Sequence, residues 1–154
     1  MKTVTGIIFF LFLAFAGKAY ACTCFTPDLE DAFRQADAVF TGFVVRGEIL
    51  RSKEPPRSEE GSPYIGKRFH FEVYATFKGK IGKRVELTTG MGMGDCHYRF
   101  ELGRSYLVFA YGTGTRLTGA TCSRTGALDR SSSIQQSREA QEDYNELLKL
   151  QKKP

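Results

Sequence analysis

Two cysteines one residue apart, Cys22 and Cys24 in "AYACTCF", carry the most chemistry in this 154-residue chain. Alternate side chains of an extended segment point to the same side. The pair therefore offers either two soft sulfur ligands to a metal or two anchor points for disulfides. Cys96 and Cys122 bring the count to four. The choice between thiol chemistry and cross-links depends on the compartment.

The residues ahead of the pair set that compartment. Lys2 gives a positive start, Ile7 to Phe15 ("IIFFLFLAF") is apolar, and Ala19-Tyr20-Ala21 has the small-x-small form of a signal peptidase site. The expectation is a signal peptide over 1–21 with cleavage before Cys22. The apolar run is well short of the roughly 20 residues a spanning helix needs, so no transmembrane span is expected. The chain reads as secreted and extracellular, or as periplasmic or lipid-anchored in the envelope if bacterial. Four cysteines in a small exported domain indicate disulfides. A bond between Cys22 and Cys24 would close a strained ring. Two staples from the pair to Cys96 and Cys122 are the simplest arrangement.

Other chemistry-bearing residues give weaker signals. Cys96-His97 resembles a thiol and its base, but consecutive strand residues face opposite ways and a disulfide removes the thiol. His70 falls on the polar face of an alternating segment and reads as a solvated histidine. "GMGMGD" lacks the following helix start that a phosphate-binding loop requires. "KGKIGKR" gathers Lys78, Lys80, Lys83 and Arg84 near one turn, either as a solvated hairpin or as a grip for a polyanionic glycan. No paired acids, nucleophile with base, or cofactor motif is found. The reading is a non-enzyme with no cofactor of its own. Removing residues 1–21 takes two lysines from a formal charge of +5. That mild excess singles out no partner, and no nucleic acid is expected.

The elements that must position these residues are short. Thr26-Pro27-Asp28 reads as a helix start with Thr26 as the cap, the helix running to about Gln35. Ala38 to Val45 reads as a strand, and 46–67 as a polar hairpin arm or loop. From Arg68 to Phe77 the alternation puts Phe69, Phe71, Val73, Ala75 and Phe77 on one face. "KGKIGK" makes a turn and Arg84 to Thr89 returns as a strand. "GMGMGD" is a flexible connection. "SYLVFAYG" is a buried strand, followed by a hairpin turning at Gly112 to Gly114. After a "RSSSIQQ" linker, Ala140, Tyr144, Leu147 and Leu148 mark one face of a C-terminal helix. The fold class is mainly β: five strands in a small OB-type barrel with a helix at each end. One domain spans 22–154, with 130–154 as linker and C-terminal helix.

The order of these features resembles the inhibitory domain of the tissue inhibitors of metalloproteinases, within the wider netrin-like group. "CTCFTPDLEDAFRQADAVFTGFVV" is similar to the family opening. "FKG" at 77–79, "MGMGDC" at 91–96, "YLVFA" at 106–110 and "SRTGAL" after Cys122 follow in the family's order. The resemblance covers the mature chain to about Leu128. It implies the OB-type barrel and the pairings Cys22–Cys96 and Cys24–Cys122. It also implies a mechanism in which the free amine and carbonyl of Cys22 chelate the catalytic zinc of a metalloendopeptidase. Thr23 then enters the specificity pocket, and Gly94 and Asp95 before Cys96 lie along the cleft. Two departures stand out: Arg34 occupies the place of a cysteine of a third family disulfide, and Gly94-Asp95 replaces a more usual apolar or hydroxyl residue. The expected protein is a monomeric inhibitor whose partner is a zinc metalloendopeptidase. The alternatives are a netrin-like module holding a glycan or protein, or a lipid-anchored envelope protein.

Overall fold

The computed structural model describes residues 25–54, 63–91, 97–113, 116–119, 122–129 and 134–151. The first helix, α1 (Leu29–Gln35), starts two residues later than the sequence suggests. Asp28, not Thr26, is its cap. The Asp28 Oδ1 accepts from the Asp31 amide at 2.8 Å, and the Asp28 carbonyl accepts from Ala32 N at 2.9 Å. A carboxylate there also meets the positive end of the helix dipole, which a hydroxyl does not exploit. At the other end Lys78 donates from Nζ to the carbonyls of Phe33 at 2.7 Å and Arg34 at 2.8 Å.

Strands β1 (Ala38–Arg51), β2 (Tyr64–Lys78), β3 (Arg84–Thr89), β4 (Ser105–Thr113) and β5 (Arg116–Gly119) form a ring in the order β1-β2-β3-β5-β4, with β1 pairing back to β4. All of these pairings are antiparallel except β3–β5, a parallel seam of Leu87↔Leu117 and Thr88↔Thr118. A two-residue strand, β6 (Gly126–Ala127), adds to β4 at Tyr106 and Leu107. The mainly β expectation holds. The strand expected to end at Val45 continues to Arg51, paired with β2 as far as Tyr64 through register shifts at Val44/Arg46 and Leu50/Arg51. Beyond Phe43 it pairs with β2 and not with β4. The arm therefore carries charge on exposed positions and gives no clear alternation.

Two apolar clusters hold the ring. Inside it, Phe71 is fully buried and meets Phe40, Phe100 and Tyr106 edge-on, with centroids 5.7, 5.1 and 6.4 Å away. Outside it, Leu107 and Phe109 of β4 and Val39 of β1 pack against Ala32 of α1, Ala36 at its end and Leu147 of the last helix. "SYLVFAYG" reads as continuously apolar because alternate side chains of β4 enter different clusters. The last helix, α2 (Ile134–Gln151), begins inside the segment expected to be a linker. Its first turns are polar, so apolar periodicity marks only the later part. Ala140 and Leu147 are buried, and Tyr144 meets Phe77 edge-on at 5.9 Å. Among the described residues, no helix is long and apolar enough to cross a membrane.

Gly79 closes the β2–β3 turn and has φ +87°. A Cβ there would lie 2.7 Å from the Asp37 carbonyl oxygen. Both the backbone conformation and the close approach demand glycine. Gly79→Ala is expected to cost about 2 kcal/mol, whereas Gly82→Ala in the same turn, with its nearest atom 3.8 Å away, should be close to neutral. Denaturant midpoints of the two variants check this. Equal midpoints would contradict it.

Candidate functional site

The residues singled out by the sequence divide between described and undescribed parts. Cys22, Thr23, Cys24, Gly94, Asp95 and Cys96 lie outside the described residues. Cys122 lies within them, partly buried and disulfide-bonded. Its pairing partner lies outside.

What is described is the frame on which those residues would hang. Thr26, Tyr98 and Ser123 line one cavity of about 100 Å³. These positions follow Cys24, Cys96 and Cys122 by one or two residues. The chain just after three cysteines distant in sequence thus gathers around one small polar space, which Asp143 and Ala140 of α2 also line.

Each contributor is fixed by its own contacts. Thr125 Oγ1 accepts from Phe109 N at 2.9 Å and from Ser123 Oγ at 2.9 Å, and donates to Phe109 O at 3.3 Å. The stretch after Cys122 is thereby bound to β4, whose Tyr106–Ala110 run is buried throughout. Tyr98 stacks obliquely on Phe100 at 4.8 Å and meets Tyr106 edge-on at 5.9 Å. Burial pushes the Tyr98 phenol well above its usual range, with a hydrogen bond to the Ala127 backbone acting the other way. The Tyr106 hydroxyl accepts from Glu101 N at 2.9 Å, and Arg104 joins that turn to Asp129, with Nη2 to Oδ1 at 2.8 Å.

The N-terminal segment is held by Arg124. Its Nη1 donates to the Pro27 carbonyl at 3.0 Å, while Nε and Nη2 donate to the two oxygens of Asp143 at 2.6 and 2.7 Å. Asp143 is buried, at 5% exposure, and Arg124 is partly buried. The two-pronged pairing raises the Arg124 pKa. Phe25, next toward the terminus, is 89% exposed.

No protein-family model matches this chain, and no curated protein matches it.

Two expectations away from the cysteines need correction. His70 is not a solvated side chain. Its Nε2 lies 3.0 Å from Glu48 Oε1 and its Nδ1 lies 3.6 Å from Glu86, with only a quarter of the side chain exposed. Cross-strand pairing of β1, β2 and β3 brings these groups together. The hydrogen bond from His70, followed by Arg46 and Arg68, holds the Glu48 carboxyl below its usual range. Among the described residues, no group of three or more His, Cys, Asp or Glu side chains is arranged to hold a metal.

The lysine turn is also changed. Lys78 caps the carbonyl end of α1 and is not part of an open cationic patch. Arg84 remains exposed, with a loose pairing to Glu72 at 3.7 Å. A helix end satisfied by a lysine from 44 residues away cannot be read from the local run. Asp143 and Arg124 were missed for the same reason: each looks like an ordinary surface charge until the fold brings them together. Ala36 and Asp37, between α1 and β1, have a visible role. Ala36 is buried, and the Asp37 carboxylate accepts from Gly112 N at 2.7 Å, tying the start of β1 to the end of β4.

Proposed function

We propose that this chain is an exported inhibitor of zinc metalloendopeptidases that acts through its mature N-terminus, with the strand ring as an OB-type barrel. The observation that carries the reading is the convergence of Thr26, Tyr98 and Ser123 on one cavity. Thr26, Tyr98 and Ser123 stand two, two and one residues along the chain from Cys24, Cys96 and Cys122, and consecutive Cα atoms are only about 3.8 Å apart. Such closeness of the flanking residues is what two staples from a CxC would require. It supports the pairings Cys22–Cys96 and Cys24–Cys122, each worth about 4–5 kcal/mol in the chain-entropy account.

The chemistry follows from the terminus. An α-amine has an ordinary pKa of about 7.7–8.0, so a metal can take it as the free base near neutral pH. The amine nitrogen and carbonyl oxygen of Cys22 form a five-membered chelate, and a catalytic zinc keeps a position open for such ligands. Cross-links on either side of Thr23 hold the wedge in its bound shape and lower the ordering cost of association. Exposed Phe25 adds apolar surface at the base of the wedge. The glycan-module alternative is weakened by Lys78, whose ammonium is committed to α1.

Intact mass, N-terminal sequencing and non-reducing peptide mapping of the exported protein, followed by inhibition assays on a panel of zinc endopeptidases, test the proposal. The expected result is a free amine at Cys22, the two stated cross-links and inhibition of at least one enzyme. A lipid-modified Cys22, free thiols or a Cys22–Cys24 ring would refute the mechanism. A correctly processed protein that inhibits nothing on the panel would leave a binding module.

A further inference from the structure

The C-terminal helix and the N-terminal segment are joined through one guanidinium. Arg124 uses Nε and Nη2 on the carboxylate of Asp143 in α2, at 2.6 and 2.7 Å, and its remaining nitrogen, Nη1, on the Pro27 carbonyl at 3.0 Å. Asp143 is a costly choice for that place. A buried carboxylate must be paired, and an apolar residue of similar volume facing an apolar partner often serves stability as well or better. What the ion pair supplies and an apolar pair does not is direction. Two parallel hydrogen bonds fix the plane of the guanidinium, and the third donor is thereby aimed at Pro27.

Pro27 is a stiff handle. Its ring locks φ, and the next residue, Asp28, is fixed by capping α1. Holding the Pro27 carbonyl therefore restricts the direction in which the chain leaves toward Phe25 and the cysteines beyond. The same cavity is lined by Thr26, the next residue out along that path.

We infer that Asp143 and Arg124 are positioning residues, through which α2 sets the orientation of the N-terminal segment. The functional consequence rests on the inhibitor reading above: α2 becomes part of the inhibitory site without touching the protease. The ordering itself does not depend on that reading.

Two variants of the full-length protein separate positioning from stability. Arg124→Met with Asp143→Leu removes both charges at similar volume, keeping the packing of α2 through Leu147 and Tyr144. Arg124→Lys keeps a positive charge for Asp143 but lacks the planar fork that reaches Pro27 at the same time. Backbone order parameters of Phe25, Thr26 and Asp28 are read by ¹⁵N relaxation, with thermal unfolding recorded alongside. The expected result is an unfolding midpoint within a few degrees of wild type. Order parameters at Phe25 and Thr26 should fall from the rigid range near about 0.85 to below about 0.6. Against an enzyme that wild type inhibits, both variants should dissociate at least about tenfold faster with little change in association rate.

Unchanged order parameters in both variants would overturn the inference. Lower order parameters with unchanged inhibition would overturn its functional part. If wild type inhibits nothing, the inhibitor reading falls alone, and the relaxation data still decide whether α2 positions the segment.

Discussion

Adding one alanine ahead of Cys22 is expected to abolish inhibition of a susceptible zinc endopeptidase while leaving the fold intact. Under the proposed chelate, the extension converts the amine into an amide, whose nitrogen is a poor metal ligand, and puts a residue where the zinc would approach. The strand ring is held by Phe71, Phe109 and their neighbours, which among the described residues belong to the strands, the helices and the loops between them. Inhibition constants should rise on the order of 1,000-fold, equivalent to roughly 4 kcal/mol of lost binding. Thr23→Gly should act more gently, because both chelating atoms remain and only the pocket contact is lost. Its cost should be about 1–3 kcal/mol, as for other small groups in specificity pockets. Inhibition constants for wild type, the extension and Thr23→Gly on one enzyme give the comparison. An extended protein that inhibits as well as wild type rules out the chelate.

Asp143→Ala is expected to be the most damaging change to a charged side chain on the protein. It leaves the Arg124 guanidinium in a space lined by α2 and the chain after Cys122, with its main partner removed. Breaking one side of a buried pair costs about 3–5 kcal/mol, toward the lower end here because 22% of the Arg124 side chain still reaches water. Ordinary surface changes stay within about 0.5 kcal/mol, so Glu142→Ala, on the neighbouring exposed position, serves as the control. Urea unfolding of the two variants at pH 7 should separate them clearly. A loss for Asp143→Ala no larger than for Glu142→Ala would mean that Arg124 finds water or another partner at no cost.

The legible parts of the fold were those with a strong period or a local steric rule. Phe69, Phe71 and Val73 alternate and do enter one cluster, whereas Phe77, expected on the same face, packs in the other, beyond register shifts in the β1–β2 pairing. The tight turn at Gly79 and the strand Arg84–Thr89 follow from short-range chemistry. The β1–β2 arm was legible as an arm but not as continuous strand, since beyond Val44 its residues face water and the apolar signal fades. The start of α2 was hidden because "SSSIQQ" reads as linker, and a polar first turn looks the same in both states. At the candidate site, the cysteines advertised themselves by spacing. Arg124, Asp143 and Lys78 did not. Their roles depend on partners 97, 19 and 45 residues away, and charge alone gives no sign of them.

The pairing of β1 with both β2 and β4 also bears on how the chain assembles as it is made. The β1–β2 hairpin is local and can form as soon as Lys78 is available, but the opposite edge of Ala38–Phe43 must wait for Ser105–Ala110. The tie between Asp37 and Gly112 spans 75 residues. Contacts of that separation require a large loop to close before they repay its entropy, which places folding in the slow range of milliseconds to seconds. Until then "AVFTGF" presents an unpaired, apolar strand edge, the kind of surface that recruits strands from other chains. A nascent chain of this protein is therefore most exposed to aggregation before β4 emerges. Overexpression that outpaces closure should fill inclusion bodies even for variants whose finished fold is fully stable.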